Sequence, residues 1–187
     1  MCSSDLTRVQ AALAGGARVL QYRNKSNDHA LRREQALVLL ALCRAHDAVM
    51  IINDDVALAR DIDADGVHVG KDDAALAAAR AALGSTKVVG VSCYDSLERA
   101  REAAAAGPDY IAFGSVYASS VKPGAVRAPL ALLTTARAEL SLPIVAIGGI
   151  AHDNVAAVID HGAHAVAVIS ALFDAPDIEA AARSDRK

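Results

Sequence analysis

Aromatic residues are nearly missing from this chain of 187 residues: tryptophan is absent, and Phe, Tyr and Trp together make up 3%. Stacking platforms for bases are therefore scarce, and no block of Lys and Arg interleaved with aromatics occurs. With a net charge of -3, the chain does not read as a nucleic-acid binder. Cysteine is sparse too. Cys2, Cys43 and Cys93 are odd in number and far apart, which argues against a disulfide framework and against a zinc site. Apolar runs stop short of a bilayer-spanning length, and the first residues lack a signal-peptide pattern. No membrane partner and a reduced, cytoplasmic location are the expectations.

What is present is aliphatic. Hydrophobic residues reach 53%, supplied mainly by Ala, Val, Leu and Ile, a mixture that suits buried parallel strands covered by Ala-rich helices. The length suits one domain over residues 1–187 with a sizeable core.

The stretch from Val49 to Asp73 organises the rest. Val-Met-Ile-Ile-Asn-Asp-Asp is a buried strand stopping at acids, Val56 to Ile62 has helical spacing, and Asp65-Gly-Val-His-Val-Gly-Lys-Asp-Asp is a second such strand. Strands joined by one short helix must be parallel, so both acidic clusters emerge at one edge of the sheet. Asp54 and Asp73 can then supply the hard oxygen ligands of Mg²⁺, leaving positions for water and phosphate, with Asn53 beside them. The competing reading is that these acids are helix N-caps.

Upstream, Thr7 to Ala14 is a helix ending at Gly15-Gly16, and a strand from Arg18 leads to Gln21, Arg23 and Lys25 in alternation. Period two puts those three on one face, where a guanidinium and an ammonium can clamp a diphosphate; otherwise they are a solvated strand end. Leu31 to Ala45 is an amphipathic helix. Downstream, helices over Ala74–Leu83, Leu97–Ala106, Leu130–Leu140 and Asn154–His161 separate strands beginning at Lys87, Asp109, Pro143 and Ala163. A long polar loop, Ser115 to Arg127, follows the Asp109 strand, and loops of this length on compact scaffolds are often active-site lids. Gly148-Gly149 and Ile169-Ser170 follow the last two strands, where a barrel of alternating strands and helices binds phosphate; the alternative is a plain turn.

Seven strands alternate with helices at intervals of roughly twenty to thirty residues. The fold expected is α/β, a TIM (β/α)8-type barrel lacking its first β-strand, because residues 1–5 are too short and polar to form one. Either the start is clipped or the barrel is incomplete with an unpaired edge. An open doubly wound sheet competes, but no Gly-x-Gly-x-x-Gly follows a strand.

Seven polar segments at strand ends now resemble one family, in order: Gln21-Tyr-Arg-Asn-Lys, Ile52-Asn-Asp-Asp, Asp65-Gly-Val-His-Val-Gly-Lys-Asp-Asp, Gly90-Val-Ser, the Ser119 to Lys122 loop, Ile147-Gly-Gly-Ile and Val168-Ile-Ser. The chain resembles thiamine-phosphate synthase from Val9 to Ala182. That resemblance implies a Mg²⁺-dependent transferase joining hydroxymethylpyrimidine diphosphate to a thiazole phosphate, with small molecules as partners and a homo-oligomer left open. It implies that Gln21, Tyr22, Arg23, Asn24 and Lys25 bind the pyrimidine diphosphate, with Asn53, Ser92 and Lys122 completing the pocket and Arg23, Lys25, Ser92 and Lys122 acting in catalysis. It further implies that Asp54 and Asp73 hold Mg²⁺, and that Ser119, Ser120, Val121, Gly149, Ile169 and Ser170 bind the thiazole phosphate.

Two positions depart from the family pattern. The family's loop runs Thr-x-Thr-Lys where this chain has Ser119-Ser120-Val121-Lys122, and Lys71 stands where Gln is usual. Two other readings follow. A related thiazole tautomerase uses a His just after the Gly-Val-Ser strand, where this chain has Tyr94, and a non-catalytic phosphate-ligand-binding relative fits the missing strand and Val121. His68, alternating within an apolar strand, reads as a packed, hydrogen-bonded barrel residue rather than a metal ligand. Tyr22 and Tyr117 read as packing residues, the alternative being that they border the pyrimidine; Asp55, Asp65 and Asp72 read as caps or structural acids, and Cys93 as a buried bystander.

Overall fold

A computed structural model describes residues 3–70, 73–118, 124 and 126–184. Its first helix, α1 (Ser3–Ala14), leads into strand β1 (Val19–Tyr22). Helix α2 (His29–Ala45) and four strand-helix units follow: β2 (Val49–Asn53) with α3 (Val56–Asp61), β3 (Gly66–Val69) with α4 (Asp73–Leu83), β4 (Val88–Tyr94) with α5 (Leu97–Ala105), and β5 (Tyr110–Gly114) with α6 (Leu130–Glu139). Then come β6 (Ile144–Ile147), α7 (Val155–Asp160), β7 (Ala165–Ala167), and the short α8 (Ser170–Phe173) and α9 (Ile178–Ser184).

The strands form one sheet in the order β1 to β7, every neighbouring pair parallel. This is the expected TIM-like α/β architecture with seven strands, left open between β1 and β7, which are the two edges. Each strand alternates between two faces. Met50, Ile52, Val67, Val89, Ile111, Phe113, Ile144 and Ala146 point outward and are buried beneath the helices. The helices meet them with small residues, Ala36, Ala59, Ala79, Ala100 and Ala136, all essentially inaccessible. Alanine at the contact lets a helix axis approach the sheet, and it is a strong helix former, so one residue type serves both ends.

Local signals place the helix starts. Asp28 accepts from Leu31 N–H, Asp55 from Leu58 N–H and Ser96 from Arg99 N–H, each satisfying one orphan donor of a first turn. Asp65 instead accepts from Met50 N–H at 2.7 Å, tying β2 to the turn before β3. The two ends of the chain meet as α1 packs on α9, with Ala12, Leu172 and Ala182 forming a small second cluster. Arg8 joins this contact, its guanidinium 5.6 Å from the Phe173 ring centroid and 3.6 Å from Asp174.

The polar strand residues face the barrel axis. That face carries Gln21, Asn53, His68, Ser92 and Tyr110 among apolar residues such as Ile51, Val88, Ala112 and Val145. Val19, on β1 at the edge of the described sheet, is 61% exposed. Cys43 and Cys93 are buried free thiols, and burial pushes them up to about 11 and about 12. They stay protonated and inert at neutral pH, in line with the bystander reading of Cys93. Among the described residues no helix is long and apolar enough to cross a membrane.

Phe113, wholly buried on the helix-covered face of β5, is the test of this core. Phe113→Ala should lower unfolding free energy by about 3 to 5 kcal/mol in a urea titration, the range for a truncated core aromatic.

Candidate active site

Because all strands run in parallel, every strand ends on the same rim, and the candidate residues lie there. Arg23 to Lys25 follow β1; Asn53 closes β2 and Asp54 follows it; Ser92 lies near the end of β4. Gly148 and Gly149 follow β6, and Ile169 and Ser170 follow β7. Asp73 is the first residue of α4, after β3. Ser119, Ser120, Val121 and Lys122, together with Lys71 and Asp72, lie outside the described residues.

A cavity of about 430 Å³ opens at the rim between the ends of β1 and β2. Arg23, Asn24, Lys25, Asn53 and Asp54 line it, joined by Arg32 and Asp55. A smaller cavity of about 130 Å³ shares Arg23, Asn53 and Asp54 with it and adds His68, Gly70, Ser92 and Tyr94. The structure thus brings together Arg23, Asn24, Lys25, Asn53, Asp54 and Ser92. Gly149, Ile169 and Ser170 lie on the same rim but line neither cavity.

The cationic segment differs in detail from strict alternation. β1 ends at Tyr22, so residues 23–25 are irregular backbone and three consecutive side chains reach the cavity. Gln35, from α2, holds this turn: Tyr22 Oη and Asn24 Nδ2 both donate to its Oε1, at 2.8 and 2.9 Å. Asn24 Oδ1 accepts from Ser26 N–H, an Asx turn that sets the direction of the chain after the site. Tyr22 is itself buried among core residues. Gln21 is exposed on β1 and lines neither cavity.

The acidic pair at the end of β2 divides its work. Asp55 is the N-cap of α3, and its other oxygen takes an ion pair from Arg32 at 3.0 Å. Asp54 is not the cap. Its backbone is left-handed, at φ 63°, and its N–H donates to the His68 carbonyl at 2.8 Å. This pins a carboxylate at the rim, where Asn53 Nδ2 donates to Oδ2 at 2.7 Å. A non-glycine residue held at positive φ is uncommon and marks a position over-determined by its surroundings.

Arg32 is the residue that sequence reading missed. It lies in the first turn of α2, 17% exposed, in contact with Asp55 and with His29 Nδ1 at 2.6 Å. Its Nε is buried without a partner. The signal was present: Arg32 closes the first turn of α2, where the macrodipole disfavours cations. A cation kept at that end points to an anion.

His68 is buried and hydrogen-bonded on both ring nitrogens, to Tyr110 and to Ser92, as the packed-residue reading expected. Burial lowers its pKa to about 4, so the imidazole is neutral. On the far side of the rim, Gly148 and Gly149 have φ of 101° and 65°. A Cβ on Gly149 would lie 2.2 Å from the Ala118 carbonyl oxygen, so only glycine lets this turn pack against the start of the loop after β5.

For a divalent cation, the described residues offer no group of three His, Cys, Asp or Glu. A carboxylate held by backbone geometry, next to an amide and among cations suited to phosphate, matches the chemistry of Mg²⁺, which keeps waters and substrate oxygens in its shell. Asp54 fits this role.

Residues 1–172 match the family described as thiamine monophosphate synthase. The thiamine-phosphate synthase of Methylobacillus flagellatus is 58% identical over 178 residues, covering 95% of this chain and 85% of the relative. That of Thioalkalivibrio sulfidiphilus is 56% identical, covering 94% and 83%. Among solved structures, thiamine phosphate pyrophosphorylase from Pyrococcus furiosus superposes with a TM-score of 0.87 at 34% identity, covering 97% of this chain and 87% of that one. The parallel sheet, the rim of cations and oxygen donors, and these likenesses over nearly the whole length agree: the chain belongs to the thiamine-phosphate synthase family.

Proposed function

We propose that this chain joins 4-amino-2-methyl-5-hydroxymethylpyrimidine diphosphate to 4-methyl-5-(2-phosphoethyl)thiazole, giving thiamine phosphate and pyrophosphate. The observation that carries the reading is the cavity in which Arg23, Lys25 and Arg32 face Asn53 and Asp54. Three cations around one pocket suit a diphosphate, the guanidinium groups binding in forks and the ammonium as a point charge. Pyrophosphate leaves with both electrons of its C–O bond, so its negative charge grows as the bond stretches. Fixed cations placed where that charge grows stabilise the departure more than they stabilise the bound substrate.

The aminopyrimidine ring delocalises the positive charge left on its methylene, which makes a dissociative path accessible. The thiazole nitrogen then supplies its lone pair to that carbon, forming the new C–N bond. No protein nucleophile is required, and the two buried thiols are unsuited to act as one. The residues instead hold two substrates in line and keep water from the cation. Lys122, in the loop after β5, would bring a further cation to the diphosphate, with Ser92 as a hydroxyl donor. Ser119, Ser120 and Val121, with Gly149, Ile169 and Ser170, would bind the thiazole phosphate.

Asp54 and Asp73 would hold Mg²⁺, which when bound neutralises diphosphate charge as a Lewis acid. The acids suited to this task speak against a purely binding role. Tyr94 stands in the small cavity where the tautomerases resembling this chain carry His, which favours the synthase over the isomerase.

Purified chain incubated with both phosphorylated substrates and Mg²⁺ should form thiamine phosphate, read as thiochrome fluorescence; absence of product under these conditions rejects the reading. Asp54→Ala should remove Mg²⁺-dependent turnover, as EDTA does to the wild type, while the circular dichroism spectrum is kept. Lys122→Ala should lower single-turnover rates by about 10² to 10³, the scale for losing one preorganised charge at a leaving group. Arg32→Ala should raise the KM for the pyrimidine diphosphate by about tenfold, the loss of one charged hydrogen bond; an unchanged KM would remove Arg32 from the site.

A further inference from the structure

Strands β3, β4 and β5 lie side by side, and their register sets His68 beside Gly90 and Gly90 beside Tyr110. Paired residues of parallel strands face the same side, so these three positions form one row toward the barrel axis. Gly90, in the middle, has no side chain, and the phenol of Tyr110 fills its place. A Cβ on Gly90 would lie 2.0 Å from Tyr110 Cζ and 2.5 Å from its hydroxyl oxygen. The imidazole and the phenol therefore meet across an intervening strand, ring centroids 5.6 Å apart. Tyr110 Oη is 2.9 Å from His68 Nδ1, and His68 Nε2 is 2.8 Å from Ser92 Oγ. Ser92 lines the smaller cavity with Arg23, Asn53 and Asp54.

The direction of these hydrogen bonds follows from burial. Burial pushes the Tyr110 phenol up to about 12, so it keeps its proton. A buried O–H must donate or lose the full value of its solvation, and His68 Nδ1 is the acceptor within reach. A neutral imidazole carries one proton, so when Nδ1 accepts, that proton is on Nε2. Nε2–H then donates to Ser92 Oγ, and the Ser92 hydrogen is left to donate elsewhere. With the other tautomer, Nε2 would take the Ser92 hydrogen inward, and the cavity would meet only an oxygen lone pair.

We propose that Tyr110 and His68 are positioning residues that hold Ser92 as a hydrogen-bond donor toward an anionic oxygen in the cavity. The proposal rests on the reading of that cavity as the diphosphate site. It accounts for three residues at once: glycine at position 90 makes room for the phenol, the phenol selects the imidazole tautomer, and the tautomer orients the hydroxyl. A donor is what a departing diphosphate needs, because its oxygens can only accept.

The test pairs spectroscopy with kinetics on the full chain. In ¹⁵N-histidine-labelled protein, His68 should show a protonated Nε2 and an unprotonated Nδ1, and Tyr110→Phe, which keeps the ring, should abolish that preference. In the thiochrome assay, Tyr110→Phe should lower kcat by about tenfold with little change in KM, one hydrogen bond's worth realised as charge develops. Ser92→Ala should fall at least as far, and the double variant no further than Ser92→Ala alone, since Tyr110 acts through that hydroxyl. A purely structural tyrosine would instead give losses that multiply. Active wild type with the proton on Nδ1, or multiplying losses in the double variant, overturns the proposal alone. Wild type that neither forms product nor binds inorganic pyrophosphate by calorimetry overturns the cavity assignment and the proposal with it.

Discussion

Parallel pairing is the constraint on which the site depends. Each strand must be followed by a helix that returns the chain to the opposite end of the sheet, so every strand terminates on one rim. Residues more than a hundred positions apart are thereby delivered to one edge of the sheet. Arg23 and Lys25 arrive from β1, Asn53 and Asp54 from β2, Ser92 from β4 and Gly149 from β6. The helices that make the returns need only an apolar face of small residues, which explains a core rich in alanine and poor in aromatic rings. The few aromatic residues are then free for particular tasks, as Tyr22 and Tyr110 show by using their hydroxyls inside the fold.

Charge is concentrated where the chemistry needs it although the chain as a whole is slightly acidic. The cavity at the rim gathers three cationic and two anionic side chains, and one of the anions is already engaged by Arg32 while capping α3. Asp55 thus does for the helix what a cap must do and leaves Asp54 at the rim. The left-handed turn at Asp54 is the backbone cost of separating the two roles. Beneath them, a neutral His68 carries hydrogen bonding across the layer without adding a charge that would compete with the cations.

Much of the fold was legible because its signals are local. Short apolar runs ending in acids or glycine, separated by helical spacing, mark the seven strands and the helices up to α7 within a few residues of where they lie, though not the short α8 and α9. The ordering of polar segments at strand ends named the rim. What local reading could not supply shows in three places. Alternation predicted one face for Gln21, Arg23 and Lys25, but the strand ends at Tyr22, and Gln35 from α2 holds an irregular turn that brings Asn24 into the wall as well. The sequence marked Asp55 as a cap or structural acid, as found, but gave no sign of the left-handed backbone and the His68 carbonyl contact that fix Asp54 beside it. Arg32 was hidden within an ordinary amphipathic helix, its role decided by the strand end it packs against.

The sequence by itself determined the alternation of strands and helices, the parallel sheet and the edge on which its polar residues fall. These follow from hydrophobic period and connection length, which act between near neighbours in the chain. Only the tertiary structure decided that Tyr110 reaches His68 through the space left by Gly90, and that Arg32 joins the cations of β1. Such contacts depend on strand register and on side-chain volumes from separate segments, and neither is encoded in any one stretch of the chain.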